Sequence, residues 1–182
     1  MKNIVIGLFV VGVVAIIALA GLGFAKPQGG GSNADFLRLH VRANSNTVTD
    51  QTVKHLVRQS IVDELTPLLY DVTTKKDAMT RLAANLDRII HVANKTLAEA
   101  GHNYTARAAI KSEHFPTRSY TNSEANLTLP EGLYDALILE LGEGAGDNWW
   151  CVVYPPLCFL ENNIGGKQGI QYKMKILEWL KK

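Results

Sequence analysis

Net charge is nearly absent from this sequence: 19 Lys+Arg stand against 17 Asp+Glu, a formal +2 at pH 7. Lys2 is the only charged residue before Lys26, so residues 26–182 carry 18 Lys+Arg against the same 17 acids, a net +1. A nucleic-acid binder shows a basic stripe or a high domain pI, and this balance argues against one. Cysteine is scarce too, with Cys151 and Cys158 the only two. Two thiols without a neighbouring histidine cluster make a poor zinc site. A Gly-x-Ser-x-Gly elbow is missing, which removes that serine-nucleophile setting. Gly142-Glu143-Gly144-Ala145-Gly146 lacks the Gly-Lys-Ser/Thr ending of a phosphate loop, and a strand rather than a helix is expected after it. Those glycines are therefore read as a tight connection.

What the chain does have is an uncharged apolar run from Ile4 to Ala25 behind Lys2. About 22 residues at 1.5 Å each reach across a hydrocarbon core of roughly 30 Å. Ala18-Leu19-Ala20 and Gly23-Phe24-Ala25 also have the small-x-small form of a signal-peptidase site. Residues 1–25 are thus a signal peptide or a transmembrane anchor, an N-terminal hydrophobic helix in either case. With the positive end kept inside, everything from Lys26 onward is delivered outside the cytoplasm. In that compartment a disulfide persists, although the spacing of Cys151 and Cys158 fits a reduced buried pair equally well. Residues 26–35, rich in Gly, Pro and small polar side chains, read as a flexible linker.

The 182-residue chain has material for one domain, expected over residues 36–162. From Phe36 to Ala43, apolar residues alternate with Arg38, His40 and Arg42, the period of a half-buried strand. Thr49 is the expected cap of a helix carrying the stripe Val53, Leu56, Val57, Ile61, Leu65 and Leu68, with Pro67 limiting its end. A second helix is expected from Thr74 to a C-terminal Gly101. Strands follow over Tyr104 to Ser112, Leu127 to Leu129, Leu133 to Leu141 and Trp149 to Tyr154. This order predicts an α/β fold of the α+β type: a single mixed or antiparallel sheet of about five strands with two helices packed on one face. Residues 163–182 form a basic amphipathic tail.

Chemistry-bearing residues are thinly spread. A Cys/His hydrolase needs a thiolate beside an imidazole; Cys151 or Cys158 and five histidines exist, none in a recognisable nucleophile setting. Trp149 and Trp150 must face opposite sides of their strand, so one enters the core and the other needs a second partner. Phe115-Pro116-Thr117-Arg118-Ser119-Tyr120 offers an extended segment on which Arg118 presents a planar cation to a carboxylate. Together these features favour a binding module over an enzyme.

Four blocks carry a family resemblance: Leu37-Arg38-Leu39-His40-Val41-Arg42-Ala43-Asn44-Ser45 with Asp50-Gln51 and Val57-Arg58; Phe115 to Tyr120; Leu129-Pro130-Glu131-Gly132-Leu133-Tyr134-Asp135-Ala136-Leu137; and Gly142 through Trp149-Trp150-Cys151 to Pro155-Pro156-Leu157-Cys158-Phe159. In order and behind a hydrophobic segment, they resemble the stage II sporulation protein R family of endospore-forming bacteria. The resemblance implies a signal made in the forespore and exported to the space between the forespore and mother-cell membranes. There it would activate a membrane-embedded aspartic protease, stage II sporulation protein GA, and so the processing of pro-sigma factor E. It implies action by protein contact, without cofactor, nucleic acid or small-molecule substrate, and touching the membrane through the N-terminal segment. The expected contact residues are Arg42, Asn44, Arg118, Trp149 and Trp150, with Cys151 and Cys158 a possible disulfide. An extracytoplasmic Cys/His hydrolase acting on cell wall or peptide is the alternative, and a passive envelope protein a third reading. The stretch Thr121 to Asn126 is longer than the family's connection there.

Overall fold

The computed structural model describes residues 33–121 and 126–155. The expected N-terminal hydrophobic helix, most of the linker, Cys158 and the tail lie outside them. Among the described residues no helix is long and apolar enough to cross a membrane.

Strand β1, Leu37–Arg42, forms where the alternation predicts it, preceded by a short 3-10 turn at Asn33–Asp35. Three helices follow: α1 at Val48–Leu69, α2 at Lys75–Ala84 and α3 at Leu86–Glu99. Thr47, not Thr49, caps α1, because its hydroxyl reaches the amide of Asp50 at 3.3 Å. Pro67 lies within the last turn of α1, two residues before its end. Thr74 caps α2 as expected, and Gly101 takes a left-handed φ of 79° after α3. The single helix expected between them is broken at Asn85, whose side-chain amide donates to the carbonyl of Arg81 at 2.8 Å. Such back-bonding competes with the helix ladder and ends it there.

Five further strands are β2 at Ala106–Phe115, β3 at Arg118–Thr121, β4 at Asn126–Leu129, β5 at Gly132–Leu141 and β6 at Asn148–Tyr154. A four-stranded mixed sheet runs β2-β5-β1-β6, and β3 and β4 make a separate two-stranded sheet. Only β1 and β5 pair in parallel within the larger sheet. The α+β class therefore holds, with a four-stranded sheet, a two-stranded sheet and three helices in place of one sheet of about five strands and two helices.

The cause of that difference is visible in the register. Phe115 pairs with Gly132 and Arg118 with Leu129, so equal two-residue gaps separate the ladders on both chains. Strands β2 to β5 are one long hairpin, interrupted where Pro116 and Pro130 cannot donate to a ladder. Its far end, β3–β4, packs on the sheet face away from the helices. Two cores result. One holds Leu37, Leu39 and Val41 of β1 against Val57, Ile61, Leu82, Ile89 and Leu97 of the helices. The other holds Phe36, Phe115, Leu127, Leu129, Tyr134, Ile138 and Val152 beneath the hairpin.

Candidate functional site

Alternation in β1 sends Arg38, His40 and Arg42 away from the helices and towards the second core. Arg38 is fully buried there. Its guanidinium lies 4.2 Å from the ring centroid of Phe115, 4.9 Å from Tyr134 and 5.8 Å from Tyr120. Nη2 donates to the Tyr120 hydroxyl at 2.6 Å, while Nε and Nη1 are buried without a hydrogen-bond partner. Burial pushes the Arg38 pKa below its ordinary value; Tyr120 opposes that and nearby Arg118 adds to it. Arg118 reaches in from β3 and stacks at 4.0 Å over Trp150 of β6, its Nε also buried and unpartnered. On the sheet beside it, the His40 ring stacks on Trp150 at 5.5 Å.

Arg42 ties three strands together: Nη1 donates to Glu140 of β5 at 2.6 Å, and Nη2 pairs with Glu113 of β2. His40, 5% exposed, has Nδ1 3.2 Å from the other oxygen of Glu113. Burial pushes His40 down to about 4; the Asn148 side chain works against this, and Arg42 and Arg38 reinforce it. The charge of Glu140 also pulls it up, but less than burial pushes it down. The ring is thus neutral at pH 7, with Nδ1–H donating to Glu113. Because the folded value lies below the ordinary 6.5, the unfolded chain takes the proton first, and stability is lost as pH falls from about 6.5 towards 4. The denaturant midpoint at pH 5 is expected below that at pH 7, and His40→Gln should narrow the gap; an unchanged gap would refute the assignment.

A second cluster lies where β1 ends. Asp50, 5% exposed, accepts from Asn44 Nδ2 at 2.8 Å, Ser45 Oγ at 2.5 Å and the Tyr104 hydroxyl at 2.6 Å. Burial alone would raise its pKa, but the hydrogen bonds of Ser45, Tyr104, Asn44 and Thr47 hold it down at about 2. The glycine loop 142–147 is clasped to the same turn. Asn44 Oδ1 accepts from the amide of Glu143 at 3.0 Å, Asn46 Oδ1 from that of Asp147 at 2.6 Å, and the Ala43 carbonyl from Gly146 at 2.9 Å. Gly142, at φ +57°, would place a Cβ 2.2 Å from Asn44 Oδ1. The loop's amides serve this turn, which is the tight connection its glycines predict.

The family model for stage II sporulation protein R matches residues 33–164. Over 129 residues the chain is 35% identical to Stage II sporulation protein R of Bacillus subtilis (strain 168), covering 71% of this chain and 56% of that one. This chain belongs to the stage II sporulation protein R family. It spans a little over half the length of that curated relative, and no solved structure matches it. Membership supports a role in sporulation.

The blocks that carry the resemblance to stage II sporulation protein R divide between the two clusters. Asn44, Asp50 and the glycine loop build the clasp, and Arg38, Phe115, Arg118, Tyr120, Tyr134 and Trp150 build the hairpin-covered face. Of the expected contact residues, the structure brings together Arg118 and Trp150. Arg118 meets an indole rather than a carboxylate. Trp149 faces the opposite way and packs on the helix-side core, with the Arg58 guanidinium 5.1 Å from its ring. Arg42 and Asn44 are committed to internal partners, so neither is placed as a free contact. Cys151 is buried on the helix side and disulfide-bonded. Sequence reasoning missed Arg38 and Tyr120 as site residues. The available signal was β5, where Tyr134, Ala136 and Ile138 are apolar on the face opposite Leu137, Leu139 and Leu141, as in a strand buried on both sides.

Proposed function

We propose that this chain is an exported sporulation signal, passed from the forespore to the mother cell, that activates a membrane-embedded aspartic protease by contact. In the terms of the family resemblance, the receptor is stage II sporulation protein GA and the outcome is processing of pro-sigma factor E. The observation that carries this reading is family membership across residues 33–164; the apolar segment 4–25 supplies the means of export. A ligand activates a receptor only by binding its active state better, and a tenfold bias needs about 1.4 kcal/mol of differential affinity. The face that best suits such contact is the one under the β3–β4 hairpin, where Arg118 and Trp150 meet. We assign Cys158 as the partner of Cys151, since it is the chain's only other cysteine. The hydrolase alternative then loses its thiolate.

The test is whether residues 26–182, exported by a neutral signal peptide from cells that make the protease and its substrate, yield processed sigma factor. Processing is expected in the wild type and is expected to disappear in folded Arg118→Ala and Trp150→Ala. It should survive Cys151→Ser and Cys158→Ser, each of which costs about 2–5 kcal/mol of stability through loss of the bridge. No processing from a folded, exported domain, even with residues 1–25 restored, would sink the reading.

A further inference from the structure

Two guanidinium groups lie on the face beneath the hairpin, and among the described residues no carboxylate pairs with either of them. Arg38 is the largest fully buried side chain of the described residues, and neither it nor Arg118 enters an ion pair there. The attraction of three ring faces offsets part of the cost of taking a cation out of water. It leaves Arg38 Nε, Arg38 Nη1 and Arg118 Nε without acceptors. Buried donors are matched almost everywhere in folded proteins, so three orphans in one neighbourhood are hydrogen-bonding capacity that an incoming acceptor can use. A planar carboxylate is the acceptor that a guanidinium fork fits best.

The cover is a separate two-stranded sheet. Strands β3 and β4 join β2 and β5 through Pro116-Thr117 and Pro130-Glu131, where the ladder is interrupted, and one amide-to-hydroxyl bond, Glu131 N to Thr117 Oγ1 at 3.0 Å, spans the joint. Opening the face would separate Leu127 and Leu129 from the second core and break the Tyr120–Arg38 bond, but it would leave the β2–β5 ladder whole. Each of its strands has a single neighbour, which leaves free edges on which an extended segment can pair. That edge favours an acid arriving on a polypeptide over a free ion.

We propose that Arg38 and Arg118 form a carboxylate site, closed by the β3–β4 hairpin in this structure, that receives an acidic side chain of an extended partner segment. The identity of the partner as the activated protease rests on the function proposed above; the site itself does not. A residue retained for packing loses stability when replaced, whereas a buried cation awaiting a ligand is replaced by an apolar side chain without loss.

The test uses the full chain with the peptide acetyl-Gly-Glu-Gly-amide as probe and acetyl-Gly-Gln-Gly-amide as its control at matched ionic strength. The Glu peptide is expected to raise the melting midpoint and shift tryptophan emission saturably, and the Gln peptide to do neither. Arg38→Met should melt no lower than wild type and lose the response. Arg118→Gln should raise the half-saturating concentration about tenfold, or about 1.4 kcal/mol, and it decides the matter alone if Arg38→Met fails to fold. Equal responses to the two peptides, an undiminished response in Arg38→Met or an unshifted half-saturation in Arg118→Gln would overturn the site. Sodium acetate matching the Glu peptide at equal concentration would overturn the partner segment. None of these readouts involves sigma-factor processing, so the two proposals fail separately.

Discussion

Asp50→Ala is expected to lower stability by about 3–5 kcal/mol, the cost of breaking a buried charged group out of its network. Its carboxylate takes hydrogen bonds from Asn44, Ser45 and Tyr104, and removing it strands three donors at once. Each stranded donor costs about 1–3 kcal/mol if it stays buried. The damage spreads because Asn44 also holds the amide of Glu143, so a loosened Asn44 releases the glycine loop. Thermal unfolding gives the number directly, at roughly 4 °C per kcal/mol for a domain of this size. Tyr104→Phe alone should cost about 1 kcal/mol, and it should cost almost nothing in the Asp50→Ala background, since the pair acts through one bond. Additive effects would show that Tyr104 is held by something else. Acid should act in the same direction. The folded carboxylate titrates at about 2 against an ordinary 3.8, so its contribution is full above 3.8 and is lost as pH falls towards 2.

How far the sequence reveals this molecule depends on how local the cause is. The alternation of Leu37, Leu39 and Val41 is local, and β1 lies where it predicts; so do the left-handed Gly101, the apolar run of β6 and the stripe of α1 apart from Leu56, which is exposed. Misplacing the α1 cap by two residues follows from Thr47 and Thr49 being the same residue type at nearly the same place; only the bond to the Asp50 amide separates them. Strand β3 was not legible. It is four residues long, sits behind a proline, and acquires its partner β4 through a pairing that continues from β2 and β5. Arg38 shows the same limit at the level of the site. A basic residue at every second position of a strand, here Arg38, His40 and Arg42, reads as a solvent-facing row, and only the hairpin folding over that row turns it into a cage. The opposed directions of Trp149 and Trp150 were predictable from strand geometry, but that Arg118 would cover Trp150 was not. Asp50 appeared in the sequence as part of a family block, with nothing to say that it was buried.

Gly146→Ala is expected to cost about 3 kcal/mol, the upper end for forcing a methyl group into a packed site. Gly101→Ala should cost about 1 kcal/mol, the penalty of a left-handed residue with a Cβ, although Gly101 has the unusual backbone of the two. Around Gly101 nothing lies within 4 Å of an added Cβ, whereas at Gly146 that atom would sit 2.2 Å from the Ser45 carbonyl oxygen and 2.5 Å from its carbon. Those are backbone atoms of the clasped turn, and they have no rotamer by which to retreat. The Gly146 amide also donates to Ala43, so the loop cannot back away without losing that bond. The strain must therefore pass to the next residues along, Asp147 and the start of β6, which aims Trp150 at Arg118. Gly146→Ala is accordingly expected to change tryptophan emission as well as the melting midpoint, and Gly101→Ala to change only the midpoint. Equal melting and equal emission in the two variants would mean that the glycine loop is not held against the turn after β1, and that the aim of Trp150 is set elsewhere.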